Sequence, residues 1–340
     1  MTGEKTVLHV GPVNTPGGMA TVIRILSSNP PQGWKAQTLA THIDGRALSK
    51  LTIWRKARKE LLRRIAERPP DVVHIHTASD FSWWRKRRVA EICSKADIPM
   101  VMHVHSGKFV EFCTGDKGAE VHNTCSGDDI QAIVLSQKWK SRLKNWLPSS
   151  RVVPNPVETP PTADVERQTH NLLFMGRPDP VKGAKLAVEA TKNCNSEVIL
   201  EMTGVTGEER WLRKDIDSGR VKALGWVAEQ EKHVLMQESA LLLMPSAFEA
   251  QPMVALEAMA NGLPILCSPA SEDTVQDAGV VVEGTNPMQW ARHIEHLLND
   301  EKRLEELRKK GLSRTKEHSI TSVNEKWKEI YTELISRNIR

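Results

Sequence analysis

Short apolar runs recur along the whole chain, each followed by a stretch with helical spacing. The runs lie at 6–11 (TVLHVG), 71–76 (DVVHIH), 99–105 (PMVMHVH), 132–136 (AIVLS), 172–176 (LLFMG), 197–204 (EVILEMTG), 240–246 (ALLLMPS) and 263–268 (LPILCS). Each is near-continuously apolar, as strands buried on both faces must be. Between them, segments such as 20–28, 182–193, 252–261 and 287–299 read as helices. This alternation predicts an α/β fold with helices flanking parallel sheets, and eight such strands across 340 residues predict two sheets. Residues 151–170 (RVVPNPVETPPTADVERQTH) lack apolar periodicity and hold Pro154, Pro156, Pro160 and Pro161, so the seam between two domains is expected there. The last segment, 320–336, places Ile320, Val323, Trp327, Ile330, Tyr331 and Leu334 at helical spacing, with no strand after it.

Composition narrows the class. With 39% hydrophobic and 26% charged residues, disorder and collagen-like repeats are excluded. No apolar run approaches the ~18 residues of a membrane-spanning helix. The start MTGEKTVLHVG lacks a cationic leader, apolar core and cleavage site, so no secretory signal is expected. Five cysteines at 93, 113, 125, 194 and 267 make no disulfide framework. A cytoplasmic protein is the expectation. The net charge of +5 hides an asymmetry: residues 1–150 carry 23 basic and 13 acidic side chains, residues 151–340 carry 24 and 29. A basic first half suggests an anionic partner.

Three segments could carry chemistry. Gly17-Gly18 follows the first strand and precedes a helix, where backbone amides can approach an anion. A tight turn is the plainer reading of the glycines alone. In 172–183 (LLFMGRPDPVKG), Arg177 and Lys182 flank a turn at the carboxyl end of a buried strand, a sensible pair for a diphosphate. Two solvated cations on a turn would look the same. In 245–262, Pro252 suits a helix start and Asn261-Gly262 its end, which puts Glu249 in the preceding loop and Glu257 within the helix. Eight residues of helix span about 12 Å. That is too far for a facing acid–nucleophile pair of carboxylates, and it suits the two ends of one elongated ligand.

These residues carry a resemblance. Glu-x7-Glu after a strand ending in Pro-Ser, then Glu-Ala-Met-Ala-x-Gly-x-Pro, resembles the retaining glycosyltransferases of family 4 (glycosyl transferases group 1), which have the GT-B fold. Gly-Gly-Met, Pro-Asp-Val-Val-His-Ile-His, Val-Pro-Asn-Pro-Val, Phe-Met-Gly-Arg…Lys-Gly and Leu-Gly-Trp-Val follow in the same order. The resemblance implies two doubly wound, Rossmann-like domains facing each other across a cleft. These are an acceptor domain over 1–153 and a sugar-nucleotide donor domain over 154–319, with a last helix at about 320–340 packing back on the first. It further implies that Arg177 and Lys182 hold the donor diphosphate and that Glu249 meets the donor sugar. Glu257 then holds the ribose, at the helix that Met253 and Val254 open. Gly17 and Gly18 approach the donor phosphate, and His105 lies beside the donor sugar. The family's Gly-Phe-Gly after the first Glu is replaced here by Ala250-Gln251-Pro252, and its Gly-Gly-x-x-Glu loop by Pro269-Ala270-Ser271-Glu272-Asp273.

The reading is a retaining glycosyltransferase that takes a UDP- or GDP-linked sugar as substrate, with no cofactor and no metal. The alternatives are an epimerase or phosphorylase on the same fold, transfer to a soluble acceptor, and a sugar-nucleotide-binding scaffold without turnover. His103, His105, Cys113, His122 and Cys125 fit no tight zinc spacing, and His74 and His76 read as hydrogen-bonded core residues. Nucleic-acid binding has no motif. Residues 54–88 carry 11 basic and 4 acidic side chains, with an apolar stripe (Trp54, Ala57, Leu61, Leu62, Ile65, Ala66) and the cluster Trp83-Trp84-Arg85-Lys86-Arg87-Arg88. This predicts peripheral attachment to an anionic membrane surface, on the inner face of the cell membrane, and a lipid-linked glycan acceptor.

Overall fold

The computed structural model describes residues 4–338 except 44, 46, 162–166 and 196. The chain forms two compact units, Met1–Pro156 with His318–Arg340 (unit 1) and Val157–Glu317 (unit 2). The first division falls three residues later than the expected 153/154, because Pro154 to Pro156 stay with unit 1. The second falls two residues earlier than the expected 319/320, at His318, whose ring nitrogen bonds the Asn155 carbonyl at 2.9 Å.

Unit 1 holds a six-stranded parallel sheet of β1 (Lys5–Gly11), β2 (Trp34–Ala40), β3 (Val72–Thr77), β4 (Met100–Val104), β5 (Ile130–Val134) and β6 (Arg151–Val152). The order is β2-β1-β3-β4-β5-β6, a doubly wound arrangement that reverses direction between β1 and β3. Helices α1 (Gly18–Ser28), α2 (Ala47–Glu67) and α3 (Phe81–Ser94) follow β1, β2 and β3. Every described residue of β3, β4 and β5 is buried, which explains their unbroken apolar runs.

Unit 2 holds β7 (Asn171–Met175), β8 (Ile199–Thr203), β9 (Val221–Gly225), β10 (Leu241–Met244), β11 (Ile265–Cys267) and β12 (Gly279–Val281). Their order, β12-β11-β10-β7-β8-β9, is again parallel and reverses between β7 and β10. Leu172, Leu200, Leu241 and Leu243 pack with Trp290 and Ile294 in its core. The elements that build its carboxyl edge are α4 (Ala184–Lys192), α5 (Glu229–Glu238) and α6 (Met253–Ala260).

The final helix, α7 (Ile320–Asn338), belongs to unit 1. Its buried stripe is Val323, Trp327, Ile330, Tyr331 and Leu334, the residues whose spacing predicts the helix. The Tyr331 hydroxyl is 2.6 Å from His74 Nδ1 on β3, and Arg151 on β6 pairs with Glu333 at 2.7 Å and with Glu329.

Candidate functional site

In open α/β sheets a ligand crevice forms where the strand order reverses, at the carboxyl ends of the strands. In unit 2 that point lies between β7 and β10. The loop after β7 carries Arg177 and Lys182, and the loop after β10 carries Glu249. The two loops are joined by the Ala247 amide, which donates to the Val181 carbonyl at 2.8 Å. Gly183 opens α4 at φ 73°, where an added Cβ would collide with the Pro245 carbonyl oxygen, so only glycine lets the loops approach this closely. Across the junction Lys182 Nζ donates to Glu249 Oε1 at 2.7 Å. The Glu249 side chain is 10% exposed and that of Lys182 32%, so the pair faces the surface through its cation. Arg177 is exposed and has no hydrogen bond or ion pair among the described residues.

Pro252 precedes α6 and Gly262, at φ 64°, follows it, as the sequence signals require. Met253 and Val254 are the first two helical residues, so their amides have no partner within the helix and point out of its positive end. Glu257 lies one turn further on and is buried. Its Oε1 accepts from Lys232 Nζ on α5 at 2.8 Å, and Lys232 also pairs with Glu229 at 2.9 Å. Burial would lower the pKa of Lys232, but Glu257 and Glu229 outweigh it and raise it above the ordinary lysine value. Sequence reasoning missed Lys232. It lies 25 positions from its partner, amid other charged residues, with no local signal.

Unit 1 holds the other expected site residues. Gly17 sits at φ 138°, a value open to glycine, with nothing near the position a Cβ would take, and Gly18 begins α1. His105 follows β4 and ends a chain of imidazoles. His9 Nδ1 lies 3.0 Å from His76 Nε2, and His76 Nδ1 lies 3.0 Å from His105 Nε2. A parallel chain runs from Tyr331 through His74 to His103 Nδ1, and the buried Nε2 of His103 has no partner. Burial pulls His9 and His105 down to about 3 and His74, His76 and His103 well below the ordinary range, so all five rings are neutral at physiological pH. The trios His9–His74–His76 and His76–His103–His105 bring ligand atoms within 4.8 Å, near enough for a cation, though the rings already share protons with one another. Neither trio includes Cys113, His122 or Cys125. His74 and His76 are hydrogen-bonded core residues, as their strand position predicts. The signal for the whole ladder was the repeat of His-x-His on two successive strands.

The basic face needs a correction. Along α2, Trp54, Ala57 and Leu61 are buried, so this part of the stripe covers the sheet, while Leu62 and Ala66 are exposed. Within the cluster at 83–88, Trp83 and Lys86 are fully buried, with Trp83 Nε1 donating to Glu120 at 2.7 Å. The cluster therefore cannot act as one surface patch. Among the described residues, the exposed large apolar side chains on these helices are Leu51, Leu62, Phe81 and Trp84, with Arg55, Lys56, Arg58 and Lys59 also exposed. Among the described residues no helix is long and apolar enough to cross a membrane.

Comparison with known proteins places the chain. Residues 169–300 match the family Glycosyl transferases group 1. O-antigen chain mannosyltransferase B of Escherichia coli is 25% identical over 158 residues, 43% of this chain and 42% of that one. The chain covers less than half the length of the curated relatives it matches. Anabaena HepE in complex with UDP-glucose superimposes with a TM-score of 0.74 at 15% identity, over 96% of this chain and 99% of that one. Sucrose-phosphate synthase from Thermosynechococcus elongatus does so with a TM-score of 0.78 at 16% identity, over 98% and 99%. The chain thus has the GT-B fold, and its residues 169–300 carry the pattern of the Glycosyl transferases group 1 family.

Proposed function

We propose that this protein is a glycosyltransferase that moves a sugar from a nucleotide-sugar donor to an acceptor hydroxyl with retention of configuration. The observation that carries this is the Lys182–Glu249 pair at the reversal point of the unit 2 sheet, beside Arg177 and the start of α6. A cation, a carboxylate and free amides at one strand edge suit a diphosphate and the sugar attached to it. The UDP-glucose held by HepE supports a UDP-linked donor. Arg177, Lys182 and the amides of Met253 and Val254 would take the charge that develops on the departing diphosphate. The acceptor oxygen bonds to the anomeric carbon on the face from which the diphosphate leaves, and its proton passes to a leaving phosphate oxygen. Glu249 would orient sugar hydroxyls, and Glu257 the ribose. The resemblance adds donor contacts at Gly17, Gly18 and His105, whose Nδ1 is not used by the histidine chain. No step calls for a metal.

For the acceptor we propose a lipid-linked glycan, with unit 1 resting on the inner face of the cell membrane. The exposed Leu62 with the exposed Arg55, Lys56, Arg58 and Lys59 of α2, and the exposed Phe81 and Trp84 of α3, support this, as does the similarity to an O-antigen chain mannosyltransferase of Escherichia coli. Sucrose-phosphate synthase, a structural neighbour, favours a soluble acceptor as the second reading. A thermal-shift panel of UDP-, GDP- and ADP-sugars is the test. A donor at 100 times its dissociation constant stabilises by roughly 2.7 kcal/mol, and only that donor should be consumed when acceptor is added. Stabilisation without consumption under any acceptor points to a binding scaffold. No response to any nucleotide sugar removes the transferase reading.

A further inference from the structure

Lys86 is the most deeply buried cation among the described residues, 1% exposed, and no carboxylate meets it. Its Nζ donates at 2.6 Å to the hydroxyl of Thr41, the residue just past β2. The Thr41 amide and hydroxyl are in turn held by the Gly11 carbonyl at the end of β1. The ammonium group thus sits at the carboxyl edge of the unit 1 sheet, at the strand (β1) where its order reverses, the place where such sheets take ligands. Its neighbour Arg85 is half-buried, makes no hydrogen bond or ion pair among the described residues, and leaves a buried Nε unpartnered. Two adjacent residues therefore hold cations withdrawn from water, Lys86 fully with one hydroxyl as its partner and Arg85 in part with its Nε unpartnered. An isolated buried charge is among the costliest arrangements a fold can hold, and native proteins pair it.

We infer that Arg85, Lys86 and Thr41 form a receiving site for a phosphate-type oxyanion at the carboxyl edge of the unit 1 sheet. The anion supplies the missing counter-charge, with Lys86 as a point donor and Arg85 as a fork. Burial, helped by the charge of Arg85, pulls Lys86 down to about 7, so the empty site relieves its charge by releasing a proton and an arriving anion restores it. The phosphate could belong to the donor or to a phosphorylated acceptor. The inference goes beyond the transferase reading and does not depend on it, because its readout is anion binding.

The test uses sulfate, a tetrahedral dianion that does not titrate near neutrality, followed by UDP. Calorimetry at about pH 8 in two buffers of different ionisation enthalpy should show uptake of close to one proton per sulfate bound. Lys86→Met removes the charge at nearly constant volume. It should melt higher than wild type without sulfate and bind sulfate at least about tenfold more weakly. If UDP competes with sulfate in the wild type, the donor is the source; if the two bind independently, the acceptor is. A Lys86→Met protein that melts lower and binds sulfate as wild type does would overturn the site. Should that variant fail to fold, the wild-type protein decides: sulfate binding without proton uptake, or no binding, overturns it equally.

Discussion

Lys182 and Glu249 neutralise each other across the two loops, and that pairing sets what each substitution should do. Lys182→Ala removes a charged donor for the diphosphate and leaves the nearly buried Glu249 without its cation. Loss of one charged hydrogen bond costs about 1.5–3 kcal/mol, so UDP affinity should fall tenfold or more by calorimetry. Glu249→Gln should leave UDP affinity nearly intact and depress turnover, because its carboxylate is assigned to the sugar. Equal UDP affinity in Lys182→Ala and wild type would break the assignment. Glu257 behaves differently. Its sequence position allows either a ribose contact or a weak pair along its own helix, whereas the structure gives it a half-buried partner on another helix, Lys232. Glu257→Gln therefore leaves Lys232 with Glu229 alone and should lower stability by about 1–3 kcal/mol even without ligand. A donor Michaelis constant that rises beyond that effect, measured well below the melting temperature, identifies the ribose role; an unchanged constant assigns Glu257 to structure. The motifs made Arg177, Lys182, Glu249 and Glu257 legible. Lys232 and the burial of Lys86 were not, since both depend on what a distant segment places opposite a lysine.

Strands and helices show the same division between what sequence reveals and what it hides. The eight strands with unbroken apolar runs are the interior strands of the two sheets. The four that gave no clear run, β2, β6, β9 and β12, are the four sheet edges. An edge strand is solvated along one side, so β2 carries exposed Lys35 and Gln37 and β9 carries exposed Lys222. The histidine ladder across β1, β3 and β4 makes unit 1 sensitive to acid. His9 and His105 have folded pKa values of about 3 against 6.5 unfolded, so the unfolded chain binds more protons between these limits. Their contribution is complete above pH 6.5 and is lost as pH falls towards 3, at up to about 1.4 kcal/mol per unit for each ring. Carboxylates titrate lower, so a melting temperature that falls from pH 6.5 to about 5 reports the histidines; a flat profile there refutes the ladder. On α2, replacing the exposed Arg55, Lys56, Arg58 and Lys59 with Glu should abolish co-sedimentation with anionic liposomes while the fold survives. Wild-type protein that stays in the supernatant with anionic vesicles at low salt would leave the soluble acceptor as the better hypothesis.

At the scale of the whole molecule, unit 1 is discontinuous in sequence: its first 156 residues are completed by the last 23, after the chain has built unit 2. The resemblance already implies that the helical stripe at 320–336 packs back on the first domain, and the structure places it in unit 1 and shows which residues meet it. Val323, Trp327, Ile330, Tyr331 and Leu334 are all at or below 2% exposed, and Trp327 and Tyr331 pack against His74. At about 1.5–3 kcal/mol for each large apolar side chain, this burial is worth roughly 8–15 kcal/mol. A whole domain is stable by only about 5–15 kcal/mol, so unit 1 cannot spare the helix. Unit 2 has its own core, from Leu172 to Leu307, which contains no residue of 318–340. A chain ending at Glu317 should therefore lose the melting transition of unit 1, expose Trp34 and Trp83 to quenchers, and keep the transition of unit 2. It should also keep UDP binding with only a modest loss, because Arg177, Lys182 and α6 all lie in unit 2. Adding a peptide of residues 318–340 in trans should restore part of the lost transition, as the missing piece of a unit that folds only when complete would. Loss of both transitions on truncation would show instead that the two units fold as one cooperative body, and unchanged melting of unit 1 would show that α7 is dispensable.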